Sequence, residues 1–331
     1  MKIVLDAMGG DDAPACVIEG AARAIAGERV GADQVLLAGP VDQVKPLLEQ
    51  AGLSEVEVLD APEIVGMHES PAVIRNKKQS SIVLGMRAAA EGKAQAFVSA
   101  GNTGAVVAAA SLVLGRLKGI ARPGIAAPMP TRRGPCVVID VGANIYCKPE
   151  HMLQYAVMAD EYCRGALGKA DPAVGLLNIG EEEGKGNPLI QEVHTLLQAS
   201  DVRYAGFVEG QDIMRGSVDV VVCEGFAGNV ILKVSEGIAT FIGEQVHGAL
   251  QAHPPRPEVG AAISEAFSRL DYAEYGGAPL LGVAAPVIIG HGRSDARAVM
   301  NMLGAAQSAV EHDVNRHILE RLDQPSGNPA P

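Results

Sequence analysis

The stretch KIVLDAMGGDDAP, residues 2–14, carries a short apolar run, an acid, two adjacent glycines, two more acids and a proline. The run from Lys2 to Leu5 reads as a strand, and Asp6 stands at its end. Gly9 and Gly10 permit a tight turn and a close backbone approach to a ligand. A helix after the turn would direct its first N–H groups at an anion. The spacing is neither GxGxxG nor GxxxxGK[ST], so neither nucleotide fingerprint applies. The alternative is a plain strand-to-helix turn in which Asp11 or Asp12 caps the helix.

The same kind of run recurs along the chain. QVLLAG near Val35, EVEVLD near Val56, QAFVSA near Val98, CVVIDV near Val138, VGLLNI near Leu176, DVVVC near Val221 and PVIIGH near Ile288 are predicted strands. Most are continuous in Val, Ile and Leu, as expected of strands buried on both faces of a parallel sheet. Helical patterns separate them, which gives an α/β class with helices on both faces of the sheet. From Asn229 to about Ala252, apolar residues at Val230, Val234, Ile238, Phe241, Ile242 and Val246 fall on one helical face. HPPRP, residues 253–257, breaks that helix, and a second pattern runs from Val259 to Leu270. Together they predict a helical hairpin at about 229–270, suited to packing on a second subunit, to carrying a binding tip or to covering the sheet. A last long helix is expected from Asp295 to Leu322, then a frayed tail at 323–331. The expectation is a single α/β/α domain over residues 1–322.

Bulk properties narrow the function. The 331 residues are 48% hydrophobic and 20% charged, which is globular composition. A formal net charge of −12 and only 3% aromatic residues argue against general nucleic-acid binding. Cys16, Cys136, Cys147, Cys163 and Cys223 form no CxxC pair, so they read as reduced core residues, with no zinc site. The first residues lack the character of a signal peptide and no run is long enough to span a membrane, so the cytoplasm is the default expectation.

In open parallel sheets, ligands sit beyond the carboxyl ends of strands. Those ends here carry SAGNTGA (99–105), DVGAN (140–144), NIGEEEGKGN (178–187), EGFAGN (224–229) with Lys233 one turn further on, and HGRSDA (291–296). Each has an ordinary explanation: Asn102 or Asn229 as a cap, His291 in a hydrogen-bonded turn, Lys185 as a solvated side chain. Five such loops, expected on one edge, suit a small anion held by amides, hydroxyls and N–H groups. ESPAVIRNKKQSS, residues 69–81, adds Arg75, Lys77 and Lys78 with Ser80 and Ser81 at a helix start, a set able to bind phosphate or an acidic partner. The acids Glu181–Glu183 lack calcium-loop spacing and read as an exposed helix start.

Taken in order, LDAMGGD, ESPAVIRNKKQSS, SAGNTGA, DVGAN followed by CKPEH, GLLNIGEEEGKGN, GFAGNVILK, YGGAPLLGV and the HG-S-A segment resemble the acyl-[acyl-carrier-protein]:phosphate acyltransferases of bacterial phospholipid synthesis, from Met1 to about Ala306. The resemblance implies an α/β/α fold akin to phosphotransacetylases and isopropylmalate-type dehydrogenases, a homodimer, and peripheral membrane attachment through the hairpin tip. It also implies acyl transfer from acyl carrier protein to inorganic phosphate, feeding a downstream glycerol-3-phosphate acyltransferase. This sequence departs from the family at Glu224-Gly225-Phe226, where DGF is usual, at Phe207 in FVEG, and in its polar, proline-rich hairpin tip.

Phosphate is itself a nucleophile, so no cofactor, metal or acyl-enzyme is expected. The expected catalytic residues are Lys185, Asn229, His291 and Asp6, the last orienting a basic group. Gly9, Gly10, Lys78, Ser80, Ser81, Asn102, Thr103, Asn144 and Lys233 are expected to bind phosphate and substrate. Cys147 reads as structural. Because acyl carrier protein is acidic, docking needs a local basic patch: Arg75, Lys77 and Lys78, or Arg116, Lys118, Arg122, Arg132 and Arg133. A coenzyme A-dependent phosphotransacetylase, a dehydrogenase of related fold and a non-catalytic scaffold for lipid-synthesis enzymes are the competing readings.

Overall fold

The computed structural model describes residues 1–253, 255–268 and 272–323. Eleven strands join in one sheet: β1 (Ile3–Asp6), β2 (Val35–Gly39), β3 (Glu57–Asp60), β4 (Ala96–Ser99), β5 (Gly124–Met129), β6 (Cys136–Ile139), β7 (Val174–Leu177), β8 (Tyr204–Val208), β9 (Val220–Val222), β10 (Ala278–Leu281) and β11 (Val287–Ile289). Their order is β3-β2-β1-β4-β11-β10-β5-β6-β9-β7-β8. The helices are α1 (Ala15–Ala26), α2 (Val41–Gln50), α3 (Ser81–Ala90), α4 (Thr103–Ala109), α5 (Pro149–Leu167), α6 (Pro188–Gln198), α7 (Gly210–Arg215), α8 (Gly225–Ala252), α9 (Pro257–Ser268), α10 (Ala296–Glu311) and α11 (Val314–Asp323).

Strand alternation assembles three layers. Val4, Leu36, Phe97, Val138 and Val221 face one side, with Ile82 and Met86 of α3 and Val106 of α4. Ile3, Leu5, Val35 and Leu37 face the other, against Val17 and Ile18 of α1, Val44 of α2 and Val299 and Leu303 of α10. Further along that face Val137, Ile139, Val220 and Val222 pack on Met152 and Tyr155 of α5 and Val193 of α6. Because successive side chains point to opposite faces, runs apolar at every position are what a doubly covered sheet requires.

The sheet is not of one sense. β10 is antiparallel to both β11 and β5, and β5 is antiparallel to β6, whereas β6, β9, β7 and β8 are mutually parallel. The strand group of β1 therefore runs opposite to that of β6. The loops after β1, β4 and β11 leave one edge, and those after β6, β7 and β9 leave the other. The expectation that five loops share one edge is thus corrected to two groups.

Other expectations shift as well. β5, β8 and β10 were not among the predicted strands. α1 begins after Pro14 with no side-chain cap, so neither Asp11 nor Asp12 caps it. Glu181–Glu183 lie in an exposed turn, and α6 starts only after Asn187, whose side chain caps it. The last helix divides into α10 and α11 at His312 and Asp313, the latter with φ 48°. The first hairpin helix begins four residues before Asn229, at Gly225. Pro254 in the tip, the expected end at Leu270 and the tail at 324–331 lie outside the described residues.

Candidate active site

At the end of β6 the buried Asp140 carboxylate gathers the following loop. Its Oδ1 accepts from the N–H groups of Ile125, Gly142 and Ala143 at 3.0, 3.1 and 2.9 Å. Its Oδ2 accepts from the Asn144 N–H at 2.7 Å and the Asn144 amide at 3.2 Å. Both oxygens act only as acceptors, the arrangement of an ionised carboxylate. Burial raises its pKa, against the opposing pull of the backbone N–H groups. The Asn144 amide also donates to the Pro123 carbonyl at 2.6 Å and the Tyr155 hydroxyl at 2.9 Å.

This hub sets the start of α8. The Gly225 N–H donates to the Asn144 carbonyl at 3.0 Å. A Cβ at Gly225 would collide with that carbonyl, and one at Gly228 with the Asp140 carbonyl, so both must be glycine for the helix to sit this close. Asn229 is exposed on the next turn, its Oδ1 beside Gly142. Ile231 and Leu232 then pack against the core shared with α3 and α4, so α8 crosses that face of the sheet. Lys233 and Glu236 follow, with Lys233 Nζ 2.8 Å from Glu236 Oε2 and His291 Nε2 3.9 Å from the same oxygen. The eleven residue steps from Gly225 to Glu236 span about 16 Å of helix. The two loop groups are therefore joined by the first three turns of one helix.

On the β11 side, the Arg293 N–H donates to His291 Nδ1 at 3.1 Å. In the neutral ring the proton then sits on Nε2, toward Lys233 and Glu236. Partial burial, then the charge of Lys233, lower the His291 pKa, and Glu236 opposes them. These influences favour the neutral ring, and with Nδ1 accepting from Arg293 its Nε2–H is the donor. The Asp11 N–H donates to the Gly292 carbonyl at 2.7 Å, which ties the β1 loop to the β11 loop. Gly9 packs so near the Gly101 nitrogen that a Cβ would lie 2.7 Å from it, and Gly10 adopts φ 116° beside Ala100.

Several expected site residues are committed elsewhere. Asp6 is buried against hydroxyls, not a basic group: Ser99 Oγ donates at 2.7 Å, the Met8 N–H at 3.1 Å, and Ser81 adds a third bond. Ser80 caps α3 and donates to the Lys77 carbonyl at 2.8 Å. Asn102 caps α4 through the Ala105 N–H at 3.0 Å, and its amide donates to the carbonyls of Gly66, Met67 and Glu69. Asn144 is the hub already described. Lys77 is bound to Glu69 at 2.6 Å and to the Ile64 carbonyl at 2.7 Å, so it ties the 64–77 loop internally. Arg75, Lys78, Thr103, Arg132 and Arg133 are exposed. Lys185 is exposed on the loop after β7, 3.7 Å from Glu182. Burial pushes the Cys147 thiol up, and its sulfur lies 3.7 Å from the Asn144 carbonyl, which suits a structural residue. Among the described residues no cluster of three or more His, Cys, Asp or Glu could hold a metal.

Sequence reasoning missed Asp140 as the organiser of its loop, and Glu236. The spacing of Glu236 three residues after Lys233, on one helix face, was the available signal.

The fold is shared with solved phosphotransacetylase structures. A phosphotransacetylase from Streptococcus pyogenes superposes with a TM-score of 0.61 at 18% identity, covering 94% of each chain. A branched-chain phosphotransacylase from Enterococcus faecalis gives 0.58 at 14% identity, covering 94% of this chain and 100% of that one. Sequence similarity is far closer elsewhere. The chain is 43% identical to a phosphate acyltransferase of Pelobacter propionicus over 98% of its own length and 95% of the relative's. It is 46% identical to one of Desulfitobacterium hafniense over 97% and 98%. The family model described as fatty acid synthesis protein matches residues 1–317, and the chain belongs to that family, as an enzyme of the phosphate acyltransferase type.

The electrostatics of His291 are testable by NMR titration. Its midpoint should lie below the ordinary histidine value of about 6.5. Removing a neighbouring cation favours protonation, so Lys233→Met should raise the midpoint; Glu236→Gln should lower it. Shifts of opposite sign would contradict the geometry.

Proposed function

We propose that this chain transfers a fatty acyl group from the thioester of acyl carrier protein to inorganic phosphate. The observation that carries the reading is the course of α8, which brings Asn229 and Lys233 from the Asp140 loop toward His291. An oxygen of phosphate attacks the thioester carbonyl, the carbon–sulfur bond breaks, and the products are acyl phosphate and the carrier thiol. The Asn229 amide and the Lys233 ammonium hold phosphate, while the Nε2–H of His291 donates to the tetrahedral oxygen and the proton of the attacking hydrogen phosphate passes to the departing thiolate. Lys185, on the loop after β7, adds positive charge at the same edge as Asn229. Arg75, Lys78, Arg132 and Arg133 remain exposed and able to meet an acidic carrier.

The proposal includes a homodimer. Phe226, Val230, Val234, Ile238, Phe241 and Ile242 form an exposed apolar stripe along α8, and Val259 of α9 is exposed too. The spacing is the i, i+4 repeat of a helix face that another helix covers. A second copy of this chain is the occupant we assign. Among the described residues no helix is long and apolar enough to cross a membrane.

Release of carrier thiol should depend on added phosphate, and a carrier thioester should be used at least tenfold better than the coenzyme A thioester. Asn229→Ala should lower kcat/KM about 10²-fold, the order expected for loss of one transition-state donor. Thiol release without phosphate, or an Asn229→Ala enzyme with full turnover and normal folding, would overturn the assignment. For the dimer, Ile238→Asp with Phe241→Asp should halve the mass in sedimentation. An unchanged mass with lost vesicle binding would assign the stripe to lipid instead.

A further inference from the structure

α4 does not end as an ordinary helix: residues Ala110–Leu114 form a π turn, closed by Gly115 at φ 95°. Single π turns are rare and often mark functional sites. This one helps form a cavity of about 380 Å³ lined by Ser111, Leu112, Arg116, Ala121, Arg122 and Pro123. The cavity adjoins the Asp140 hub, because the carbonyl of its lining residue Pro123 accepts the Asn144 amide at 2.6 Å.

Its charge is one-sided. The lining contains two arginines and no carboxylate. Arg116 donates to the Ala121 carbonyl, which fixes the wall of the cavity. Arg122 is exposed, with no hydrogen-bond or ion-pair partner among the described residues. Its charge reaches the Tyr155 hydroxyl, which also receives the Asn144 amide. In a chain of net charge −12, two arginines converging on a cavity without a carboxylate call for an anionic ligand. The volume, within the range of about 300–1,000 Å³ that holds small molecules, is roomy for a lone tetrahedral anion. Leu112, a large apolar side chain 63% exposed at the rim, calls for a ligand with an apolar part beside its charge.

We propose that this cavity binds the phosphate of the pantetheine arm of the acyl donor, with Arg122 on the phosphate and Leu112 against the arm. The proposal rests on the acyl-thioester reading above. It divides the work of recognition: Arg122 grips the arm beside the hub, and α8 holds the attacking phosphate.

The test compares three donors carrying one acyl chain: acyl carrier protein, S-acyl-4′-phosphopantetheine and S-acyl-pantetheine. Arg122→Gln should raise KM about ten- to a hundredfold for the two phosphorylated donors, the loss expected for one charge-assisted bond, and leave kcat nearly unchanged. KM for S-acyl-pantetheine should not move, and Lys45→Gln, exposed on α2 and outside the lining, should behave as wild type. Free 4′-phosphopantetheine should compete with the carrier more strongly than pantetheine does. An equal effect on all three donors, no effect on any, or a raised KM for inorganic phosphate alone would overturn the assignment. If wild-type enzyme ignores carrier protein yet still prefers phosphorylated to plain pantetheine donors, the carrier reading fails and the cavity assignment stands.

Discussion

A carboxylate sealed from water and surrounded by five donors fixes the centre of this molecule. Asp140 is fully buried, and only the fold of the 141–144 loop supplies enough N–H groups to satisfy it. Substituting either side leaves a charge or several donors without partners, at a cost of several kcal/mol on the scale of about 1.5–3 kcal/mol per charged hydrogen bond. That cost holds the loop in one conformation. The loop in turn fixes the Asn144 carbonyl, and this carbonyl takes the first N–H of α8. Gly225 and Gly228 let the helix settle against the hub with no side chain between them.

From that start the direction of α8 is determined, and with it the relation between the two halves of the sheet. The reversal of strand sense at β10 and β5 would otherwise leave the polar loops of the two halves at opposite edges. α8 spans the distance. Asn229 stays with the β6 loop, and Lys233 and Glu236 reach His291 beyond β11. A helix is well suited to this work because its donors and side chains are spaced at fixed intervals along a stiff axis.

Much of this was legible in the chain. Val137-Val138-Ile139 and Val220-Val221-Val222 announce strands with both faces covered, and they occupy adjacent places in the sheet. β5 reads GIAAPM and β10 reads APLL, where small residues and proline carry little strand signal; β8 is interrupted by Gly206. Strand sense left no mark, because buried strands look alike in either direction, and so the loops were expected on a single edge. The residue types of the site were visible as well, but not how their hydrogen bonds are used. Asn102 and Asn229 look equivalent in sequence, each in a Gly-Asn pair near a helix start. The first spends its whole side chain on a cap and three carbonyls, whereas the second stands exposed on its helix. Asp140 went unremarked because an acid at a strand end is ordinary until its depth is known.

Amide hydrogen exchange on Asp140→Asn measures the central dependence most directly. Protection should fall at least tenfold in residues 141–147 and in the first turns of α8, with β1 and α10 unchanged. Wild-type protection across 141–147 and 225–236 in that variant would show that the carboxylate does not hold the helix.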